Sequence, residues 1–217
     1  GGKKIISNRE VKVYDRHSKA DYGFSFSTLS YKYKVEEVII NYPMKVLEPQ
    51  FFKDLEGLKK VTLPSTVTEY RNEAFRNTAI ESLAIQSGVT NIGILAFYEC
   101  EKLKTLFIED GPEPLDIKKM ISGLISDSGP FYGSPLETVH LGRELIYDCD
   151  NDLDAWSEGV FGLSNNYSLK KVTIGKYVRT LTPFIFAKNK ALPSITIPGN
   201  VISSGNDAFY NCRGLKE

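Results

Sequence analysis

The chain has 217 residues, 41% of them hydrophobic, which is enough for a sizeable core and excludes a disordered polymer. Lysine plus arginine (27) balance aspartate plus glutamate (27), so no global field draws in a phosphate backbone, and nucleic acid is not an expected partner. With two histidines and three cysteines, a histidine-rich metal centre and a disulfide framework are both excluded.

The start, GGKKIISNREV, has neither the apolar stretch nor the small-residue cleavage site of a signal peptide. Gly1 reads as an expression remnant, and any export signal is expected to have been removed. Residues 1–34 are rich in Tyr, Ser and Lys and carry alternations such as VKVY and YGFSFS. They are expected to form strands that cap whatever follows. No apolar run reaches the roughly 18–20 residues of a membrane-spanning helix.

From Val35 onward one phrase recurs. VEEVII begins at Val35, LKKVTL at Leu58, IESLAI at Ile80, LKTLFI at Leu103, LETVHL at Leu136, LKKVTI at Leu169, LPSITI at Leu192 and LKE at Leu215. The steps are 23, 22, 23, 33, 33, 23 and 23 residues. Two longer phrases, AFYEC at Ala96–Cys100 and AFYNC at Ala208–Cys212, lie 112 residues apart, which is four of these steps. The apolar positions alternate within each phrase, as in Val172 and Ile174, so each predicts a short strand with one buried face. Pro64 and Pro198 follow two of them, at a strand end where a missing N–H is tolerated.

A second apolar pair comes next, such as Val89 and Ile92 or Val178 and Leu181. A phenylalanine then closes each unit: Phe52, Phe75, Phe97, Phe131, Phe161, Phe186 and Phe209. In NEAFRN, ILAFYEC and NDAFYNC it is expected on a single helical or 3₁₀ turn. A lone unit of about 23 residues buries too few side chains to offset the entropy of ordering its backbone. Stacking is therefore required, each coil completing the hydrogen bonds of the next, which is the logic of a solenoid. The division expected is a cap at 1–34 and about seven repeats over 35–217, with insertions at 112–128 and 147–158. With the chain stopping three residues into a new unit, either the last coil is expected to be the least protected or the natural protein is expected to continue.

The unit L-x-x-[VL]-x-[LI]-P-x-x-V-x-x-I-x-x-x-A-F-x-x-C/N resembles the BspA-type leucine-rich repeat of bacterial surface proteins. IEDGPEPLDI, SPLETVHLGRELIYD and LKKVTIG follow in the order of a Bacteroides-type variant. Val46-Leu47 with Phe51-Phe52, and Pro183 to Phe186, depart from the Ala-Phe pattern. The resemblance implies an α/β fold: a right-handed β/α leucine-rich-repeat solenoid, strand-rich with short helical or 3₁₀ turns. It also implies a noncatalytic module at the cell surface or outside the cell that adheres to or binds a host or bacterial surface protein.

Cys100 and Cys212 take one repeat position, three after the phenylalanine, where other units place Thr78, Ser134, Ser164 and Asn189. This is read as a small inward slot. Four coils at roughly 5 Å separate the two sulfurs by about 20 Å, too far for a disulfide. Cys149 lies in an insertion. Asp148, Asp150, Asp152 and Asp154 invite calcium, but an EF-hand loop from Asp148 would need glycine and glutamate where Leu153 and Gly159 stand. The reading is a solvated acidic loop, with calcium left open.

No GxSxG, HExxH, P-loop or GxGxxG occurs, and a catalytic triad would have to use His17 or His140. No enzymatic activity and no cofactor are expected. Phe107 and His140 take the strand position facing away from the core, which elsewhere holds Ile39, Thr62, Ala84, Thr173 and Thr196. They should lie side by side with Thr105 and Thr138 beside them, and Tyr147 and Trp156 in the adjoining insertion complete a candidate binding patch. Trp156 could equally fold over the coil as a lid. A glycan-binding module, stacking sugars on Trp156, Tyr147 or Tyr132, is the alternative.

Overall fold

The computed structural model describes residues 5–7, 10–14, 35–40, 43–118, 129–147, 159–161 and 168–216. Among them are two rows of parallel strands, as expected of a leucine-rich-repeat solenoid. The first row carries the recurring phrases: β3 (Glu37–Ile40), β5 (Lys60–Thr62), β7 (Ser82–Ile85), β9 (Thr105–Ile108), β11 (Thr138–Leu141) and β13 (Lys171–Ile174). β1 (Ile5–Ser7) and β2 (Glu10–Tyr14) form an antiparallel pair, and β2 runs parallel to β3. The second row is built from the second apolar pairs: β4 (Val46–Leu47), β6 (Glu69–Tyr70), β8 (Asn91–Ile92), β10 (Leu115–Ile117), β12 (Leu145–Ile146), β14 (Thr180–Leu181) and β15 (Ser203–Ser204). β10 and β12 take ordinary places in that row, so the extra residues of the two long units follow them, outside the described residues.

Pairing in the first row is in register from β7 to β13. The alternation predicted from sequence holds in space: Leu106 and Ile108 are fully buried while Thr105 and Phe107 face out. The row is interrupted between β5 and β7, where Val61 and Leu63 are only half-buried. The seventh phrase, LPSITI, forms no strand, and Ile197 is 43% exposed. Proline explains the loss. The residue at its place in earlier coils starts the pairing through its N–H, as in Lys59 to Glu36 O (2.8 Å), Lys104 to Glu81 O (3.0 Å) and Lys170 to Glu137 O (2.9 Å). Pro193 has no N–H to give.

The third side of each coil is a ladder of turns. Among the described residues no helix occurs, which corrects the expected helical or 3₁₀ turn around each phenylalanine. The N–H groups explain why. Phe52, Phe75, Phe97 and Phe186 donate to a carbonyl of the next coil, as do the residues two places either side of Phe52, Phe75 and Phe186 and Glu99 after Phe97, while the alternate N–H groups close four-residue turns within the coil. Continuous helical bonding is impossible when every second donor points to a neighbour. The chain completes the zigzag with left-handed residues two before and two after the ring, for instance Glu73 (φ 58°) and Asn77 (φ 56°) around Phe75.

The rings themselves form an axial stack inside. Successive centroids from Phe52 through Phe209 are 5.1, 5.3, 5.1, 5.7, 5.9 and 5.6 Å apart. Phe52 through Phe186 are buried at each coil, whereas Phe209, in the last one, is only half-buried. The small inward slot three residues after the ring does more than fit: in four coils it supplies a donor to the phenylalanine carbonyl of the coil before. Cys100 Sγ donates to Phe75 O (3.0 Å), Ser134 Oγ to Phe97 O (2.9 Å), Asn189 Nδ2 to Phe161 O (2.7 Å) and Cys212 Sγ to Phe186 O (2.9 Å). Both cysteines are free thiols. Burial pushes Cys100 up to about 11, so it should resist alkylation at neutral pH in the folded chain and react on unfolding. Cys100→Ser should preserve stability. Cys100→Val, which keeps the bulk and loses the donor, should cost toward the lower end of about 1–3 kcal/mol in chemical denaturation.

Two polar devices bind coils together. Glu144 accepts from the backbone N–H of Arg179 (3.1 Å) and Thr180 (3.0 Å), bridging the place where β12 and β14 do not pair. Arg143 is fully buried and crosses above Gly111 to donate to Ser87 O (2.9 Å) and Gln86 O (2.8 Å), two coils away. On the turn side, burial alone would raise the Glu73 carboxyl, but Lys53 and Arg76 outweigh it and hold the group below its ordinary value of 4.5. That contribution is complete above pH 4.5 and is lost as pH falls through the depressed folded value. Glu73→Gln should therefore flatten the acid limb of a stability-versus-pH curve and leave its neutral-to-alkaline shape unchanged.

Candidate functional site

The outward face of β7, β9, β11 and β13 is built from three registered rows. The row at the strand starts alternates in sign from coil to coil: Glu36, Lys59, Glu81, Lys104, Glu137, Lys170. Adjacent strands lie roughly 4.8 Å apart, so like charges there would repel, and alternation turns the row into a ladder. Glu137 bridges Lys104 (3.2 Å) and Lys170 (2.9 Å), and these lysines hold its carboxyl below the usual range, Lys170 foremost. The next row is small and hydroxylic, Ser82, Thr105 and Thr138 in register, ending in Lys171.

The third row holds the aromatics. Ala84, Phe107, His140 and Thr173 are consecutive Cα partners, so the predicted adjacency of Phe107 and His140 is observed directly. Their rings stack at 4.3 Å with 14° between planes, and Phe107 remains 45% exposed. His140 is fixed at both nitrogens: Nδ1 lies 2.9 Å from Thr173 Oγ1 and Nε2 lies 3.1 Å from Asp110 Oδ1. An ionised carboxylate can only accept, so Nε2 carries the proton facing Asp110, and in the neutral ring Nδ1 accepts from the Thr173 hydroxyl. One face of the imidazole is covered by Phe107. The ring is thus held in a single orientation by contacts from two neighbouring strands and from the turn after β9.

The other candidate residues fall elsewhere. Thr105 and Thr138 are paired on this face, one row from the stack. Tyr147 is buried in the core, only 6% exposed, so it does not join an outward patch. Trp156, Cys149 and the Asp148–Asp154 loop lie outside the described residues. Tyr132 stacks on Tyr98 at 5.3 Å on the turn side, away from the sheet face. The sequence reading missed Thr173 and Asp110 as partners of His140. Thr173 was legible as the next member of the row, but Asp110 reaches the ring only because the chain turns after β9 beside Gly142 and Gly175. Among the described residues no three His, Cys, Asp or Glu side chains gather around a metal position, and no helix is long and apolar enough to cross a membrane.

A stack of parallel coils with an axial phenylalanine column and a flat registered face defines a leucine-rich-repeat solenoid. This chain belongs to the BspA-type leucine-rich repeat family, whose repeat region matches residues 24–142 and 131–217 in six copies. A leucine-rich repeat protein of Eubacterium ventriosum is 26% identical, with a TM-score of 0.55 over 81% of this chain and 42% of its own. One from Bacteroides ovatus is 17% identical, with a TM-score of 0.48 over 99% of this chain and 64% of its own. A leucine-rich cell surface protein of Faecalibacterium prausnitzii is 22% identical, with a TM-score of 0.36 over 85% and 53%. The chain thus spans less than two thirds of the length of each. No curated protein matches the sequence.

Proposed function

We propose that this chain is a noncatalytic protein-binding module, displayed on a bacterial cell surface or secreted, and that it binds through the sheet face centred on Phe107 and His140. The observation that carries this reading is the stacked pair itself. An exposed aromatic held rigid by its neighbours loses little entropy on binding, which is how contact centres gain affinity from modest area. The surroundings suit the same role, since the charge row beside it is largely neutralised within the chain and the middle row is small. Thr105 and Thr138 line the contact. Residues 1–34 serve as the cap of the stack, a reading supported by the way β2 extends the first row past β3.

The test is a selection of phage-displayed random dodecapeptides on the immobilised chain, with a glycan array run alongside. Peptides recovered on the native chain should lose at least tenfold in affinity against Phe107→Ala and against His140→Ala, while the array stays silent. Peptides indifferent to both substitutions would remove the sheet face from the function. An array signal in place of peptide binding would favour a glycan ligand.

A further inference from the structure

We infer that the sheet face carries a notch above Ala84 which receives an aromatic or bulky apolar side chain of the partner, and that the same partner segment brings a lysine or arginine to Glu81. This inference rests on the proposed protein-binding role and specifies the chemistry of what binds. Three observations define the notch. The stack leaves Phe107 with one ring face against His140 and the other turned toward β7, where its registered neighbour is Ala84. A methyl group cannot rise to the height of a phenyl ring, so that second face looks over a low floor, and Phe107 is 45% exposed. On the far side the sheet is interrupted between β7 and β5, so no strand is zipped against Ala84 there and the nearest outward side chain of the row is Thr62.

Charge selects the partner. In the alternating row, Lys59 pairs with Glu36 (3.7 Å) and Lys104 with Glu137 (3.2 Å). Glu81, between them, is exposed and has no ion-pair partner among the described residues. It stands three residues before Ala84, in the bend that leads into β7, about 10 Å away at a strand rise of about 3.3 Å per residue. In an extended segment the side chains at i and i+2 share a face about 7 Å apart, and the length of a lysine or arginine side chain covers the rest, so an aromatic and a cation in that spacing engage the free ring face and the free carboxylate together. A neutral sugar would satisfy the ring alone, which is why the partner is read as a protein segment. Offset stacking against Phe107 supplies the apolar contact, and the cation supplies direction along the strand.

The probes are two defined peptides, acetyl-Ser-Lys-Ser-Trp-Ser-amide and acetyl-Ser-Trp-Ser-Lys-Ser-amide, titrated at millimolar concentration into the full chain and followed by NMR. One of the two should shift the Ala84 methyl and the Phe107 ring protons, and its counterpart with glutamate in place of lysine should bind at least fivefold more weakly. Ala84→Phe, which fills the notch at an exposed site, should abolish the shifts of the Phe107 ring protons. Glu81→Lys should reverse the preference between the lysine and glutamate peptides. Because Glu81→Lys leaves the notch intact, it keeps the test decisive should Ala84→Phe disturb folding. Absence of shifts at Ala84 and Phe107 with both lysine peptides, or equal binding of the glutamate peptides, overturns the inference. Selected dodecapeptides that depend on Phe107 but tolerate Ala84→Phe and Glu81→Lys would leave the protein-binding role standing and remove the notch alone.

Discussion

Replacing Phe97 by alanine is expected to cost about 3–5 kcal/mol, read as a fall in the denaturation midpoint at unchanged slope. Phe97 is 1% exposed and lies between two rings at 5.3 and 5.1 Å, with Tyr70 edge-on at 6.3 Å. Its removal opens a void in the middle of a column, and the coils cannot close it, because their spacing is set by three hydrogen-bonded ladders. Phe107→Ala, ten residues on, should change stability by less than about 1 kcal/mol, since that ring sits outside and only its contact with His140 is lost. Comparable small losses at the two positions would mean the interior and exterior faces are misassigned.

Gly142→Ala is expected to be a severely damaging single-methyl addition, with a loss of more than about 3 kcal/mol. A Cβ there would lie 2.3 Å from Ile108 O, 2.5 Å from Asp110 N and 2.5 Å from Glu109 C, all backbone atoms of the coil before. None of these can swing aside as a side-chain tip could. The two coils must part, breaking the 3.0 Å bond from Gly142 N to Ile108 O. Asp110 moves with them, so its contact with His140 goes too. Peptide binding and stability should fall together, whereas Gly199→Ala, with nothing within 4 Å of its Cβ, should alter neither. A Gly142→Ala chain with wild-type melting would show that the coils pack more loosely here than these distances say.

Spacing on the page made much of this legible. The recurrence of phrases separated inward from outward residues along each strand, and adjacency of Phe107 and His140 followed from counting. Where the reading went astray, the deciding partner lay in another coil. The turn ladder is not helical because its donors are shared between neighbours, and the LPSITI phrase is not a strand because Pro193 cannot open the pairing. Tyr147 reads as part of an insertion but is the residue after β12, and its ring packs inward.

What the chain determined by itself, then, was period and polarity: which side chain in every unit points to the axis, and which coils follow one another. These are properties of local alternation and of repeat length, and they survive without knowing any distance. Only the tertiary structure decided which groups across coils meet, such as Asp110 with His140, Cys100 with the Phe75 carbonyl and Arg143 with the carbonyls of Gln86 and Ser87. The reason is geometric. Residues 25 to 57 positions apart come within hydrogen-bonding distance only through the pitch of the stack and the path of each turn, and neither is encoded at any single position.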